Sequence, residues 1–292
     1  MVDSKIGGPQ VNLGPSISLT LTDSHLLGRR ETGIESFKFD AGEHNWLPSS
    51  LVLDPAYPVS SWPGVFSTAY VSTVAQFGGL VEVRTGRRTQ HLPIFVRMLD
   101  KFSTWGYDNG LKSMVTTLLQ FGMVGYVFVL PDMIGGNGYG GAPSRELYIR
   151  WLQVNVFMPA MQISYVPWLY DEEVVEHSLA MTRLHALHSP LILRLARESQ
   201  LTGAPINRPV WWLDPTDPTA QALDDEFLLG DDILVAPVLT EASRARDVYL
   251  PAGLWVDGNN PDSGQILGPT WIYQYEAGLF TLPYFIRVQQ KP

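Results

Sequence analysis

Apolar and polar positions alternate between two spacings along the first two-thirds of the chain. Short apolar runs bounded by turn residues predict buried strands, at 34–39, 80–84, 92–98 and 123–130. Segments with helical spacing lie between and after them, at 65–78, 109–121, 145–157 and 174–188. Asn109 and Ser144 stand where N-caps are expected. Strands that alternate with helices predict a parallel α/β architecture.

The pattern changes after about residue 205. Short strand-like runs now follow one another, separated by Pro, Gly and Asp, at 209–213, 233–238, 247–250 and 280–287. Helical spacing is missing between these runs, so the tail predicts a small β-rich domain appended to the α/β part.

Composition and charge exclude several function classes. Of 292 residues 45% are hydrophobic and 17% charged, which indicates a globular chain with a large core. The net charge of −9, without a cluster of four basic residues, excludes a nucleic-acid-binding protein. The chain has no cysteine, which excludes disulfides and thiolate metal sites. The longest apolar stretch, 118–130, is too short to span a bilayer, so we expect a soluble chain without a membrane segment.

Three predicted strands end in an aspartate, at Asp40, Asp100 and Asp132. In a (β/α) barrel the carboxyl ends of all strands open on one face, where the chemistry takes place. Carboxylates there can divide into a nucleophile and an acid, the pair that glycoside cleavage needs. A single such aspartate could equally cap the next loop, but three at successive strand ends favour a function.

The other motifs are weaker. Gly136, Gly138 and Gly141 match the G-x-G-x-x-G pattern of dinucleotide loops. The anionic Asp132 precedes them, however, and we interpret the segment as a flexible loop bordering a pocket. A nucleotide-binding oxidoreductase is therefore the least favoured function. His185 and His188 are three residues apart, without the further ligands that a metal needs, and we interpret them as a pair near a helix C-terminus.

Several segments resemble glycoside hydrolase family 31. The sequence FKFDAGE at 37–43 is similar to the nucleophile strand of that family, and DKFSTW at 100–105 to its acid/base segment. PDMIGG at 131–136 resembles the segment whose aspartate holds sugar hydroxyls. Arg84 lies 16 residues before Asp100, where the family keeps a substrate-binding arginine. Further similar segments are found at 146–153, 225–231, 234–238 and 247–255, so that the resemblance covers roughly residues 34–292.

The resemblance implies a fold and a domain organisation. It implies an α/β chain with a partial (β/α)8 TIM barrel, from strand 4 onward, at 34–238. A small β-rich proximal C-terminal domain would follow at 239–292. An atypical N-terminal segment, 1–33, would precede the barrel, and its first 30 residues match nothing expected. In the family three βα units precede the nucleophile strand, whereas only 39 residues precede Asp40 here. We therefore expect this chain alone to form an incomplete barrel, a fragment without glycosidase activity.

The resemblance also implies a retaining double-displacement mechanism. Asp40 would attack the anomeric carbon, while Asp100 would protonate the leaving oxygen and then deprotonate water. The substrate-binding residues implied by the resemblance are Lys38, Arg84, Asp132 and Trp105. Asp108 competes with Asp100 for the acid/base role, but the turn before the next helix explains it better. No metal or cofactor is expected.

Finer details resemble the branch of myogenesis-regulating glycosidases, which act on α-galactosides. That branch carries a lysine two residues before the nucleophile, as Lys38 is here. Many family α-glucosidases carry Arg-x-His where this chain has PAMQIS at 159–164, and this departure favours an α-galactoside as substrate. The alternative is a catalytically inactive relative that binds sugar or anionic ligands. Members of the branch carry a membrane anchor and face the secretory lumen, in the endoplasmic reticulum or Golgi. We expect the same of the parent protein, with the anchor missing from this chain. The exact sugar, the linkage and the oligomeric state stay open.

Overall fold

A computed structural model describes residues 33, 36–47 and 57–288. The chain forms two compact units, Met1–Arg97 and Met98–Pro292. Apart from Gly33, the predicted atypical segment 1–33 lies outside the described residues.

Among its described residues, the first unit contains three short parallel strands and one α-helix. They are β1 (Phe37–Lys38), α1 (Trp62–Val74), β2 (Val81–Val83) and β3 (Phe95–Arg97). Strand β2 lies between the other two, with Phe37 opposite Val81 and Glu82 opposite Phe95. The helix and the strands predicted for this region are thus confirmed, although their ends are shifted. Residues 34 and 35, predicted to begin β1, lie outside the described residues.

The second unit begins with an α/β part. Its elements are α2 (Ser113–Met123), β4 (Val129–Leu130), β5 (Met133–Ile134), α3 (Arg145–Asn155), β6 (Gln162–Ile163) and α4 (Glu172–Thr202). Strands β5 and β6 pair in parallel, with Met133 opposite Gln162. Ser144 caps α3 as predicted, since its hydroxyl oxygen accepts a hydrogen bond from the Leu147 amide at 3.3 Å. Most of α3 is buried, and Trp151 lies in the larger apolar core of this unit.

Two predicted helix ends in this part are wrong. Helix α2 begins at Ser113, and Asn109 is not its cap: it has a φ of +83° and donates its side-chain amide to the Asp100 carbonyl instead. Helix α4 does not end near residue 188 but continues through Pro190 to Thr202. Proline has no amide to donate to the Ala186 carbonyl, and the Ser189 hydroxyl donates to it at 2.8 Å.

The rest of the second unit is β-rich, as predicted. It contains β7 (Asn207–Arg208), α5 (Pro218–Ala222), β8 (Phe227–Leu229), β9 (Ile233–Val235), β10 (Ala245–Asp257), β11 (Gln265–Glu276) and β12 (Tyr284–Arg287). The strands form an antiparallel sheet of order β11-β10-β12-β9-β8-β7. A second apolar core, with Trp255 and Phe285 fully buried, packs on this sheet.

Two segments of this part differ from the sequence-based expectation. Strand β11 was not predicted, and residues 209–213 were predicted to form a strand. Residues Val210–Trp212 form a 3-10 helix rather than a strand. Strand β11 is an edge strand whose residues are exposed or half-buried, so it has no continuous apolar run. Further 3-10 helices in the described ranges are His44–Trp46, Val59–Ser61, Ala75–Phe77, Pro167–Leu169 and Pro261–Ser263. Within the described residues no helix is both long enough and apolar enough to cross a membrane.

Candidate active site

Helix α1 holds the turn that presents Asp40. The chain leaves β1 through Ala41 at φ +62° and Gly42 at φ +92°. The Tyr70 hydroxyl donates to the Asp40 carbonyl at 2.6 Å, and the Ser67 hydroxyl donates to the Gly42 carbonyl at 3.0 Å. Burial and the neighbouring negative charge of Asp40 raise the pKa of Tyr70 to about 12, so it remains a hydrogen-bond donor at neutral pH.

Gly42 can be tested as the residue that allows this turn. A Cβ at Gly42 would overlap the Tyr70 ring, and its φ of +92° is one that L residues rarely adopt. We expect Gly42→Ala to lower the free energy of unfolding by about 2–3 kcal/mol, measured by urea denaturation. Gly33→Ala is the control, because Gly33 has a φ of +70° in the same unit but nothing within 4 Å. Equal losses in the two variants would contradict a role for the Tyr70 contact.

Two arginines contact the Asp40 carboxylate. Its Oδ1 lies 3.3 Å from Arg84 Nε and 3.0 Å from Arg97 Nη2. The Asp40 side chain is 63% exposed, whereas that of Arg97 is only 2% exposed. A buried guanidinium group therefore fixes the direction of an accessible carboxylate and offsets its charge. Arg84 was predicted here, but Arg97 was not; its only sequence signal is a basic residue inside an apolar strand.

Acidic residues hold the two arginines in turn. Glu43 Oε1 lies 2.5 Å from Arg84 Nε. Glu82 Oε1 lies 3.3 Å from Arg97 Nε and 3.7 Å from Lys38 Nζ. Lys38 thus pairs with Glu82, and its predicted role in holding sugar hydroxyls stays a prediction. The alternation of charges gives each arginine a fixed position beside Asp40.

In the second unit, Asp100 lies three residues after the end of β3. Its carbonyl accepts a hydrogen bond from Asn109 Nδ2 at 2.6 Å, and its carboxylate accepts one from the Tyr139 hydroxyl. The backbone amide of Phe102 donates to the Asn109 carbonyl at 3.0 Å, which closes the loop at its base. Asp108 lies exposed in a turn of this loop, as predicted.

The glycine loop at 135–141 lies against the loop of Asp100. The Asn137 amide donates to the Lys101 carbonyl at 2.9 Å, and the Gly138 amide donates to Ser103 Oγ at 3.0 Å. A Cβ on Gly136 would lie 2.9 Å from the Ser103 nitrogen, so only glycine fits at this approach. The loop predicted to be flexible is therefore held by hydrogen bonds, and it carries Tyr139 to Asp100. No sequence signal identified Tyr139.

Asp132 is fully buried at a φ of +64°. Its Oδ2 accepts hydrogen bonds from the Lys101 amide at 3.0 Å and from Asn137 Nδ2 at 2.7 Å. Asp132 thereby joins the end of β4 to both loops. Its role as a ligand of sugar hydroxyls stays a prediction, and so does that of Trp105, which is half-buried and packs against the larger apolar core.

Lys101 is a buried cation behind these loops. Its Nζ donates to Ser113 Oγ at 2.8 Å and lies 3.3 Å from Thr117 Oγ1. Burial lowers the pKa of Lys101 to about 8, although the negative charge of Asp132 acts in the opposite direction.

The lowered pKa of Lys101 predicts a pH dependence of stability. Between pH 8 and about 10.5 the unfolded chain binds more protons at this lysine than the folded chain does, so its contribution to the free energy of unfolding rises with pH. Urea titrations measure the free energy of unfolding of the native protein and of Lys101→Met at each pH. The native value minus the variant value should rise by about 1–3 kcal/mol between pH 7.5 and pH 10. A difference that does not change with pH would mean that Lys101 keeps its charge when folded.

Each histidine of the pair contacts a backbone carbonyl. His185 Nδ1 lies 2.8 Å from the Val156 carbonyl, and His188 Nδ1 lies 3.0 Å from the Leu184 carbonyl. Both are in the middle of α4, so their predicted place near a helix C-terminus is wrong. Over residues 36–47 and 57–288, no three His, Cys, Asp or Glu side chains form a group that could hold a metal ion.

Comparison with protein families identifies the chain. The model described as "Glycosyl hydrolases family 31 TIM-barrel domain" matches residues 98–195, and "Glycosyl hydrolase family 31 C-terminal domain" matches residues 203–290. The chain belongs to glycoside hydrolase family 31. The predicted fold class is thereby confirmed: part of a TIM barrel is followed by a small β-rich domain. The exact boundary at 238/239 stays a prediction.

Three proteins that the chain resembles are longer than it is. It is 48% identical over 238 residues to the mouse myogenesis-regulating glycosidase, covering 78% of the chain and 33% of that protein. It is 36% identical over 221 residues to the SITS-binding protein of Tetronarce californica, covering 74% of the chain and 31% of that protein. A family 31 dextranase of Flavobacterium johnsoniae, solved with glucose, superposes with a TM-score of 0.77 at 26% identity. The superposition covers 90% of this chain and 35% of the dextranase. The chain thus spans about a third of the length of these relatives.

Proposed function

We propose that this chain belongs to a retaining glycosidase that cleaves α-glycosidic bonds, most readily those of α-galactosides. The observation that carries the proposal is the environment of Asp40. A nucleophile in this reaction must be charged, oriented and accessible to the sugar. Asp40 is exposed, while Arg84 and the buried Arg97 contact one oxygen of its carboxylate. Membership of a glycosidase family supports the same role.

In the proposed first step, Asp40 Oδ2 forms a bond with the anomeric carbon of the sugar. The bond from that carbon to the leaving oxygen breaks, and the carboxylic acid of Asp100 gives its proton to this oxygen. In the second step Asp100, now a carboxylate, takes a proton from water. The water oxygen bonds to the anomeric carbon, and Asp40 leaves as a carboxylate. The Tyr139 hydroxyl orients Asp100 in this scheme.

The choice of α-galactosides rests on the sequence around two positions. Lys38 stands two residues before Asp40, as in the branch that acts on α-galactosides. Residues 159–164 lack the Arg-x-His of many α-glucosidases, and Gln162 and Ile163 form β6 there. The 48% identity to the mouse myogenesis-regulating glycosidase supports this branch.

Paired kinetic measurements test the proposed reaction. The full-length protein should hydrolyse 4-nitrophenyl α-galactoside with a kcat/KM at least about tenfold above that for the α-glucoside. Preference for the glucoside would overturn the substrate assignment and leave the reaction class standing. Cleavage of neither substrate would overturn the glycosidase function itself.

A binding protein without catalysis is the second candidate. The observation that favours it is the 36% identity to a relative named SITS-binding protein. A full-length protein that binds SITS and cleaves neither glycoside would support this function over the first.

A further inference from the structure

A cavity of about 410 Å³ lies within the second unit, and it contains none of the residues assigned to catalysis. We propose that it binds a neutral oligosaccharide. The cavity is lined by the loop of Asp100, the segment before β8, the connection between β9 and β10, and the strands β10 and β11. The side chains that carry the argument are Tyr107, Lys112, Asp224, Asp225, Arg246, Asp247 and Trp271.

Aromatic rings on β11 offer a stacking surface. The Trp271 side chain lines the cavity and is 36% exposed. The rings of Tyr249 and Tyr273 contact the indole, with centroid distances of 5.1 and 6.2 Å. Tyr107 adds a second exposed ring to the lining. Flat aromatic faces of this kind suit the apolar face of a sugar ring.

Carboxylates supply acceptors for sugar hydroxyls. Asp224 Oδ2 accepts from the Tyr107 hydroxyl at 3.0 Å, and Asp225 Oδ2 lies 3.1 Å from Arg246 Nη2. A carboxylate can accept about four hydrogen bonds, so these contacts orient both groups and leave capacity for a ligand. A short oligosaccharide provides the matching donors along with its apolar ring faces.

A β-bulge builds the wall beside Trp271. The register of β10 and β11 shifts between Arg246 and Val248, and Gln274 has a φ of +51°. Asp247 Oδ1 accepts from the Gln274 amide at 2.8 Å, which fastens the bulge. Bulges commonly redirect side chains beside binding sites, and this one places a carboxylate in the lining next to the tryptophan.

Charge in the lining favours a neutral ligand over an anion. Three aspartates face Lys112 and Arg246, which gives a net charge of −1. Arg246 also contacts the buried Glu226 at 3.0 Å and Asp225 at 3.1 Å, so its guanidinium group is already bound within the protein. The volume lies within the range of about 300–1,000 Å³ that is usual for small-molecule sites. A neutral, hydroxyl-rich ligand satisfies the charge, the aromatic surface and the volume together.

Titration calorimetry with three neutral trisaccharides tests the proposal: maltotriose, isomaltotriose and raffinose. The full-length protein is used as its Asp40→Ala variant, so that the sugars stay intact. At least one should bind, and adding Trp271→Ala should weaken its binding by about tenfold. Asp224→Ala, at an exposed loop position, should weaken it as well without disturbing the sheet. Trp168→Ala is the matched control, since Trp168 is 72% exposed and lies outside the lining.

Each outcome supports or overturns oligosaccharide binding in the cavity. Binding that survives Asp100→Ala but weakens with Trp271→Ala and Asp224→Ala supports it. Absence of binding for all three sugars overturns it. Binding that is lost with Asp100→Ala or Arg84→Ala and unchanged in both cavity variants also overturns it, because the sugar then occupies the candidate active site. The glycosidase proposal is tested separately by hydrolysis, so either can fail alone.

Discussion

Replacing Asp40 by alanine should abolish glycoside turnover in the full-length protein, lowering kcat by about 10⁴-fold or more. The reason is that Asp40 is an exposed carboxylate that both Arg84 and Arg97 contact, whereas the neighbouring Glu43 and Glu82 are mostly buried. Without it the covalent glycosyl-enzyme cannot form. The measurement is kcat on an aryl α-galactoside, before and after addition of azide. Azide should restore cleavage and give the inverted glycosyl azide, because the small anion attacks from the place of the missing carboxylate.

The matched control for this variant is Asp262→Ala. Asp262 is an exposed aspartate on a 3-10 helix of the β-rich part, and its loss should leave kcat unchanged. More than about a tenth of the native kcat in Asp40→Ala would remove Asp40 from the nucleophile role, since a weak residual rate is all that binding alone supplies.

Replacing Asp100 by alanine should have an effect that depends on the leaving group. For an α-galactosyl disaccharide, whose leaving alcohol needs a proton, the rate should fall by about 10²–10⁴-fold. For a 2,4-dinitrophenyl glycoside the loss should be far smaller, because that leaving group departs without protonation. Steady-state kinetics on both substrates, with the same preparation, give the ratio of the rate loss on the disaccharide to the rate loss on the dinitrophenyl glycoside.

Asp108→Ala is the control for Asp100. Asp108 lies in the same loop but in an exposed turn, and its loss should slow both substrates little. Equal losses on both substrates in Asp100→Ala would take the acid/base role from Asp100. Selective loss on the disaccharide in Asp108→Ala would assign the role to Asp108 instead.

Local signals made part of the site predictable. Asp40, Asp100 and Asp132 each follow an apolar run, and a strand followed by a turn needs only nearby residues to be recognised. Ser144 was identified as a cap for the same reason: its hydroxyl serves an amide three residues away. The alternation of strands and helices likewise predicted the parallel α/β part and the change to a β-rich tail.

Contacts between distant residues were not predictable. Arg97 and Asp40 are 57 residues apart, and Tyr139 and Asp100 are 39 apart, so no local spacing relates them. Helix α4 continues past Pro190, where the Ser189 hydroxyl donates to the Ala186 carbonyl in place of the missing amide. A rule about proline alone does not predict this contact. Strand β11 was missed because an exposed edge strand needs no apolar run.

The anomer released first tests the central claim most directly. The full-length protein should be mixed with an aryl α-galactoside, and the anomeric protons of the product followed by NMR from the first minute. Two displacements at the anomeric carbon restore the original configuration, so α-galactose should appear first and the β-anomer only later, by mutarotation. First release of β-galactose would show a single displacement and contradict the roles assigned to Asp40 and Asp100.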